Sequence, residues 1–229
     1  MCGRFSQSKP ASAYARFLAI PGETGDRTGR FNVAPSLPVA VVTRRGPWPN
    51  GTPTNRMDWC TWGLVPHWVH DPQTLKTRPI NARIETVADK PMFRDAWRRG
   101  QRGLVPTDGF YEWRTEHGGR QPWFIRRRDG TPLLLAALWD TWGPDHSLSC
   151  TLLVGPPNER VARLHARMPI IIPRDALDVW LDAHTPADTL AAFAAPFPSV
   201  ELEAYRVSTW VNRADNEGAQ CIAPLSSPP

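Results

Sequence analysis

The chain has 229 residues, enough for one large domain or two small ones, and we expect one. Its 27 lysines and arginines exceed its 22 aspartates and glutamates, which gives a formal charge of +5. This excess favours polyanionic partners but identifies none, and a GC-rich genome would also explain why arginine carries nearly all of it. No apolar run reaches the roughly 20 residues of a membrane span, and no secretory signal begins the chain, so we expect no membrane partner.

The four cysteines are widely separated along the sequence. Cys2, Cys60, Cys150 and Cys221 show none of the short paired spacings of a zinc site, so the sequence predicts no metal. Together with the missing signal, they indicate a cytoplasmic protein with reduced thiols.

Short runs bounded by proline and glycine predict extended segments through most of the chain. In order, these runs cover residues 38–43, 57–65, 103–106, 110–114, 122–127, 133–140, 149–154 and 203–207. Helical patterns are fewer and cover residues 11–20, 92–99, 158–165, 174–183 and 186–195. The long run of strands predicts an antiparallel meander.

Asn158 and Thr185 are natural N-caps, and Pro186 fits the first position of a helix. Strands and helices do not alternate regularly, which predicts an α+β fold: a single domain built on a curved, mostly antiparallel β-sheet or barrel with peripheral helices. We expect the domain to span residues 1–224, with a flexible tail at 225–229 and a long loop at 46–55.

Five polar stretches interrupt this apolar background: MCGRF, RPINARIET, DGFYEWR, LHARMP and VSTWVN. In the first, removal of Met1 would leave Cys2 with a free α-amine and a free thiol on one residue. The ordinary alternative is a frayed chain end. In the second, an extended backbone would place Asn81, Arg83 and Glu85 on one face, which a strand with one solvated side would also explain.

Glu112 and His165, the candidates in the third and fourth stretches, also allow two interpretations. Glu112 lies between Tyr111 and Trp113, whose rings could exclude water and raise the pKa of the carboxyl group. A solvated strand glutamate is the ordinary alternative. His165 closes a helical turn, where a histidine is often only a packing residue.

The stretches that carry a resemblance to a known family are, in order, MCGRF, APSLPVAVV, WGLVPHW, NARIET, GLVPTDGFYEW, HARMP and VSTWVN with the following CIAP. The chain resembles the SRAP family, the SOS response-associated peptidase domain. The resemblance covers nearly the whole chain. It implies proteins that shield abasic sites in single-stranded DNA, with Cys2 as the attacking residue and Asn81, Glu112 and His165 completing the site. One departure is that LLVGPPN stands where the family usually has a threonine-rich stretch, although Asn158 is present.

The chemistry agrees with this implication. An abasic site opens to an aldehyde, and an aminothiol captures an aldehyde first as a Schiff base and then as a five-membered thiazolidine. No cofactor is needed. We expect Glu112 to shuttle protons, His165 to assist opening of the sugar ring, and Asn81 to fix the terminal amine or a sugar hydroxyl.

The expected partner is single-stranded DNA that contains abasic sites, bound by a monomeric, cytoplasmic protein that joins the nucleoid when bound to DNA. Arg4, Arg83 and Arg167 are predicted phosphate contacts, and Trp68 and Trp113 are predicted to stack on bases, although Trp113 could instead be buried. Two other functions stay open. One is an N-terminal-nucleophile cysteine peptidase with autoprocessing, alongside a lyase-type activity on abasic DNA; the other is a non-covalent single-stranded DNA-binding module.

Overall fold

A computed structural model describes residues 2–22, 25–46, 53–116 and 118–225. The strands found there are β1 (Phe5–Gln7), β2 (Arg30–Val33), β3 (Pro38–Arg45), β4 (Thr54–Trp62), β5 (Asn81–Arg83), β6 (Arg102–Thr107), β7 (Gly109–Glu116), β8 (Gly119–Arg127), β9 (Leu133–Trp142), β10 (Ser147–Gly155), β11 (Met168–Pro169) and β12 (Leu202–Arg206). The α-helices are α1 (Ala11–Phe17), α2 (Arg94–Arg98), α3 (Glu159–Ala162), α4 (Leu177–Leu181) and α5 (Ala187–Ala192).

The strands form two sheets. The smaller sheet is antiparallel, with strand order β12-β8-β7-β1-β2. The larger sheet follows the order β11-β10-β4-β3-β6-β9, and pairing of β9 with β10 closes five of its strands into a barrel. Strand β10 runs parallel to β4 and to β5, so the barrel is mixed.

Both faces of β3, β6 and β9 are buried over most of their length. Along β3 and β9, alternate residues point to opposite sides, as the two-residue period requires. One set packs in a core with Phe5 and Phe110 of the smaller sheet, and the other packs against the helices through Tyr14 and Trp180. This double burial explains why β9 is almost continuously apolar instead of alternating.

The predicted α+β fold with peripheral helices is confirmed, but some details are wrong. The sheet is not a simple meander, because β10 makes parallel pairings with strands distant in sequence. Glu85 does not share a strand with Asn81 and Arg83, because the chain turns into a 3-10 helix at Ile84–Thr86. Thr185 does not cap α5: its hydroxyl donates to the Val179 carbonyl, and the helix begins at Ala187.

The N-cap prediction for α3 is confirmed, because the Asn158 side chain accepts a hydrogen bond from the Val161 N–H at 3.0 Å. Residues 47–52 of the predicted long loop and 226–229 of the predicted tail lie outside the described residues. Leu225, the first residue of that tail, donates its N–H to the Arg206 carbonyl at 2.9 Å. In the part of the chain that the structure describes, no helix combines the length and apolarity that a membrane crossing needs.

Candidate functional site

Cys2 lies three residues before the start of β1, in the core shared by the smaller sheet and the barrel. Its side chain is fully buried, and Sγ donates to the Arg4 carbonyl oxygen at 3.7 Å. The same oxygen accepts the Tyr111 N–H at 3.0 Å. Because Tyr111 directly precedes Glu112 on β7, these two bonds place the cysteine beside the glutamate.

Glu112 is 3% exposed although it is a carboxylic acid. Its burial raises the pKa from 4.5 to about 7, against the opposing positive charges of the amino terminus and Arg120. Burial, and then the negative charge of Glu112, raise the pKa of the Cys2 thiol. The thiol is therefore protonated at neutral pH, with a carboxyl group nearby that titrates close to that pH.

Asn81 begins β5, which is held on β10 by parallel pairing opposite Leu152. Its Nδ2 donates to the Cys2 carbonyl oxygen at 2.7 Å, so the amide fixes the backbone of the cysteine. Its Oδ1 is buried, and within the described residues no donor reaches it. That oxygen is placed to accept a hydrogen bond from a ligand.

His165 follows α3, and its backbone N–H donates to the Val161 carbonyl at 2.9 Å. Its ring Nδ1 lies 3.0 Å from the Arg167 backbone nitrogen and 3.2 Å from the Arg167 carbonyl oxygen. In the tautomer with the proton on Nε2, Nδ1 accepts the Arg167 N–H. Burial, and then the positive charge of the amino terminus, lower the pKa of His165. The imidazole is therefore neutral at pH 7, and in that tautomer it can donate from Nε2.

A first cavity of about 300 Å³ adjoins the cysteine, lined by Gly3, Arg4, Trp113, Arg120 and Asn212. The guanidinium groups of Arg4 and Arg120 each lie 5.8 Å from the centre of the Trp113 ring. The ring nitrogen donates to Asn212 Oδ1 at 2.7 Å, which fixes the indole at the cavity wall. Trp113 is thus half-buried, which lies between the two predictions made for it, a ring exposed for base stacking and a buried ring.

Arg4 is held tightly at this cavity. Its Nη1 donates to Asn32 Oδ1 at 2.7 Å and to the Val211 carbonyl at 3.1 Å. Asn32 is fully buried, and its Nδ2 donates to carbonyls of the 211–216 segment. This network explains why the VSTWVN stretch, far away in sequence, belongs to the site.

A second cavity of about 610 Å³ is lined by Trp68, by Asn81 and Arg83 of β5, and by residues 90–93. Trp68 is 46% exposed and Arg83 is exposed. Arg167 makes an ion pair with Glu85 and does not line either cavity. Asn81 thus contacts the cysteine and also lines this cavity.

Sequence reasoning missed Arg120, Asn212 and Asn32. Arg120 lies on β8, four residues after β7 ends at Glu116, and Asn212 ends the quoted VSTWVN motif, so that motif offered a signal. Asn32 had none, because its role depends on contacts with residues nearly 30 and 180 positions away. Among the described residues, no group of three histidine, cysteine or acidic side chains is arranged to hold a metal ion.

A family model described as SOS response associated peptidase (SRAP) matches residues 1–214. The chain belongs to the SRAP family. The predicted resemblance is thereby confirmed over nearly the full sequence.

Similar proteins of known name agree with the membership of this chain in the SRAP family. Abasic site processing protein YoaM of Bacillus subtilis is 31% identical over 97% of this chain and 97% of its own length. YedK of Escherichia coli, with the same descriptive name, is 30% identical over 98% of this chain and 100% of its own. HMCES of Gallus gallus is 30% identical over 98% and 78%, respectively.

Two crystal structures share the fold of the SRAP chain. A Bacteroides thetaiotaomicron protein superposes with a TM-score of 0.81 at 20% identity, covering 98% of this chain and all of its own. A Bordetella bronchiseptica protein superposes with a TM-score of 0.71 at 26% identity, covering 90% of this chain and all of its own.

Proposed function

We propose that this protein processes abasic sites in single-stranded DNA by forming a covalent thiazolidine between Cys2, freed of Met1, and the ring-opened aldehyde. The observation that carries the proposal is that Asn81 and Glu112 both lie close to Cys2. Asn81 donates to its carbonyl at 2.7 Å, and Glu112 is close enough for its charge to raise the thiol pKa. The names of the relatives support the same lesion as substrate.

The reaction balances without a cofactor. The Cys2 amine forms a C–N bond with the aldehyde carbon, and the carbonyl oxygen leaves as water, which gives a Schiff base. The thiol then adds across the C=N bond: sulfur bonds to carbon and the proton passes to nitrogen. Closure is intramolecular, for which effective molarities of about 10⁵ M are reached in well-oriented cases, so the adduct is long-lived.

The supporting residues have separate roles in this proposal. Glu112, with a pKa of about 7, accepts a proton from the incoming amine and returns one to the departing hydroxyl. His165 donates from Nε2 to the sugar ring oxygen as the ring opens. Asn81 holds the Cys2 backbone through Nδ2 and accepts a sugar hydroxyl at Oδ1.

The two cavities accommodate the DNA on either side of the lesion. The first offers Arg4 and Arg120 to phosphates and the Trp113 face to a base. The second offers Arg83 and the exposed ring of Trp68. Each cavity pairs cations with an aromatic surface, the combination that binds unpaired strands. We also propose that the protein acts as a monomer. Arg167 pairs with Glu85 and lines neither cavity, so its phosphate contact stays a prediction.

The test is a denaturing gel. The protein is incubated with matched single-stranded oligonucleotides that carry one abasic site or none, and a heat-stable band is expected only with the lesion. Mass spectrometry of the band should give the sum of the two masses minus one water. Absence of the band with protein shown to begin at Cys2 would overturn the proposal.

The denaturing gel, together with an assay of peptide cleavage, distinguishes this proposal from the two other functions. A cysteine peptidase is favoured by the family's descriptive name and by the closeness of Cys2 to Glu112. It predicts peptide cleavage without a DNA band. A non-covalent binding module predicts salt-sensitive DNA binding with no preference for the lesion.

A further inference from the structure

A polar cluster around the buried Asp140 connects two segments that line the second cavity. It consists of Asp140 on β9, Arg99 directly after α2, and His67 in the turn that precedes Trp68, and we refer to it as the Asp140 cluster. Nothing in the chemistry proposed for Cys2 uses these residues. Their arrangement nevertheless fixes the position of two segments at the second cavity, where we propose that DNA binds.

Asp140 is almost completely buried, at 1% exposure, and both of its oxygens are engaged. The Arg99 Nη2 lies 3.0 Å from each oxygen. The Thr141 N–H donates to Oδ1 at 2.8 Å, and the His67 N–H donates to Oδ2 at 3.0 Å. A buried carboxylate is tolerated only with such full pairing, so the positions of its partners are strongly determined.

The same cluster fixes both segments to each other. Arg99 Nη2 also lies 2.9 Å from His67 Nδ1, which joins the end of α2 to the turn that carries Trp68. At its other end, α2 continues directly from the turn at residues 90–93, where the Phe93 N–H donates to the Lys90 carbonyl at 2.9 Å. Trp68 and residues 90–93 both line the second cavity.

We infer that Asp140 is a positioning residue, which acts through Arg99 and His67 to hold Trp68 and the 90–93 turn at the separation that admits a nucleotide into the second cavity. The inference rests on the proposed function, because it assumes that DNA occupies this cavity. Asp140 itself contacts neither DNA nor the reacting atoms. Its effect is therefore on DNA affinity and not on the rate of ring closure.

The test variant is Asp140→Asn, which keeps the shape but leaves one oxygen where two are needed. The matched control is Asp58→Asn. Asp58 is also a buried acid paired with an arginine, Arg45 at 2.5 Å, but it lines neither of the two cavities beside Cys2. Arg99→Gln is a milder second variant, because the Arg99 side chain is 43% exposed and its loss disturbs the fold less than a change at the buried Asp140.

Two quantities separate positioning from general destabilisation. The first is the DNA concentration that gives half-maximal cross-linking, measured alongside the affinity for an oligonucleotide without a lesion. The second is the cross-linking rate at saturating DNA. For Asp140→Asn and Arg99→Gln we expect at least about fivefold weaker binding, the lower end of the loss for one stacked base, and a saturated rate within twofold of the unmodified protein. Asp58→Asn should change the melting temperature only.

A double variant distinguishes positioning of Trp68 from a general contribution of Asp140 to stability. If Asp140 acts through the Trp68 wall, Asp140→Asn should weaken binding much less in a Trp68→Ala background than in the unmodified protein. Unchanged DNA binding by Asp140→Asn and Arg99→Gln, or losses equal to those of Asp58→Asn, would overturn the inference. An unmodified protein that neither binds nor bonds the oligonucleotides would instead contradict the proposed function.

Discussion

Glu112→Gln separates the stability of the fold from the chemistry of the site. The folded protein raises the pKa of Glu112 from 4.5 to about 7, so the folded state holds this proton more tightly than the unfolded chain does. The stability contributed by the protonated acid is therefore complete below about pH 4.5 and is lost as pH rises through about 7. Since one pKa unit corresponds to about 1.4 kcal/mol, the loss totals about 3 kcal/mol.

Glutamine cannot ionise, so Glu112→Gln should be more stable than the unmodified protein above pH 7 and similar to it at pH 4.5. Urea unfolding at pH 4.5, 6, 7 and 8 measures the difference directly. In the same variant we expect cross-linking to slow by about 10²- to 10⁴-fold and to lose its rise between pH 6 and 8, because the proton acceptor is gone.

The stability measurement tests the raised pKa of Glu112, and the cross-linking rate tests its role in proton transfer. A stability difference that does not change with pH would mean that burial does not raise the Glu112 pKa. A cross-linking rate that is unaltered across pH 5 to 8, with the adduct still formed, would mean that another group shuttles the proton. Glu116→Gln is a suitable control, because that glutamate lies on the same strand but pairs with Arg206.

Three further predictions concern the nucleophile and the DNA contacts. Cys2→Ser should give no heat-stable adduct, because oxygen does not close an equally stable ring, and a persistent band would exclude the thiazolidine. Trp68→Ala should weaken binding of lesion-free single-stranded DNA by about 1–3 kcal/mol in a titration, with no loss of thermal stability, because its ring is 46% exposed. Arg4→Ala should destabilise the fold by about 1–3 kcal/mol in urea, because it leaves the buried Asn32 oxygen without its donor, and a neutral result would contradict that network.

The sequence predicted most strands to within a few residues, because their apolar runs are bounded by proline and glycine. It could not predict that β10 pairs in parallel with β5, since the partners are about 70 positions apart and nothing local specifies the register. It also could not predict that β5 ends at Arg83. Extended and 3-10 backbones are both compatible with the ARIET stretch, and packing decides between them.

The candidate site was predictable to the extent that short motifs signal chemistry. Cys2, Asn81, Glu112 and His165 were named from such motifs, and their roles stay predictions. The motif gave no indication that the Asn81 amide also donates to the Cys2 backbone carbonyl. Asp140 gave no signal at all: within a run of buried residues it could be any core position, and its importance depends on Arg99 and His67, which lie about 40 and 70 positions earlier.

The position of β1 between β7 and β2 has a consequence for how the protein matures. A strand in the middle of a sheet is paired on both sides, so the segment that carries Cys2 acquires its place only when its neighbours, which arise up to about 100 residues later, have been synthesised. A segment that is synthesised early is thus among the last to be organised. Until then, the thiol is exposed to oxidants and to soluble aldehydes, and the completed fold removes it from them.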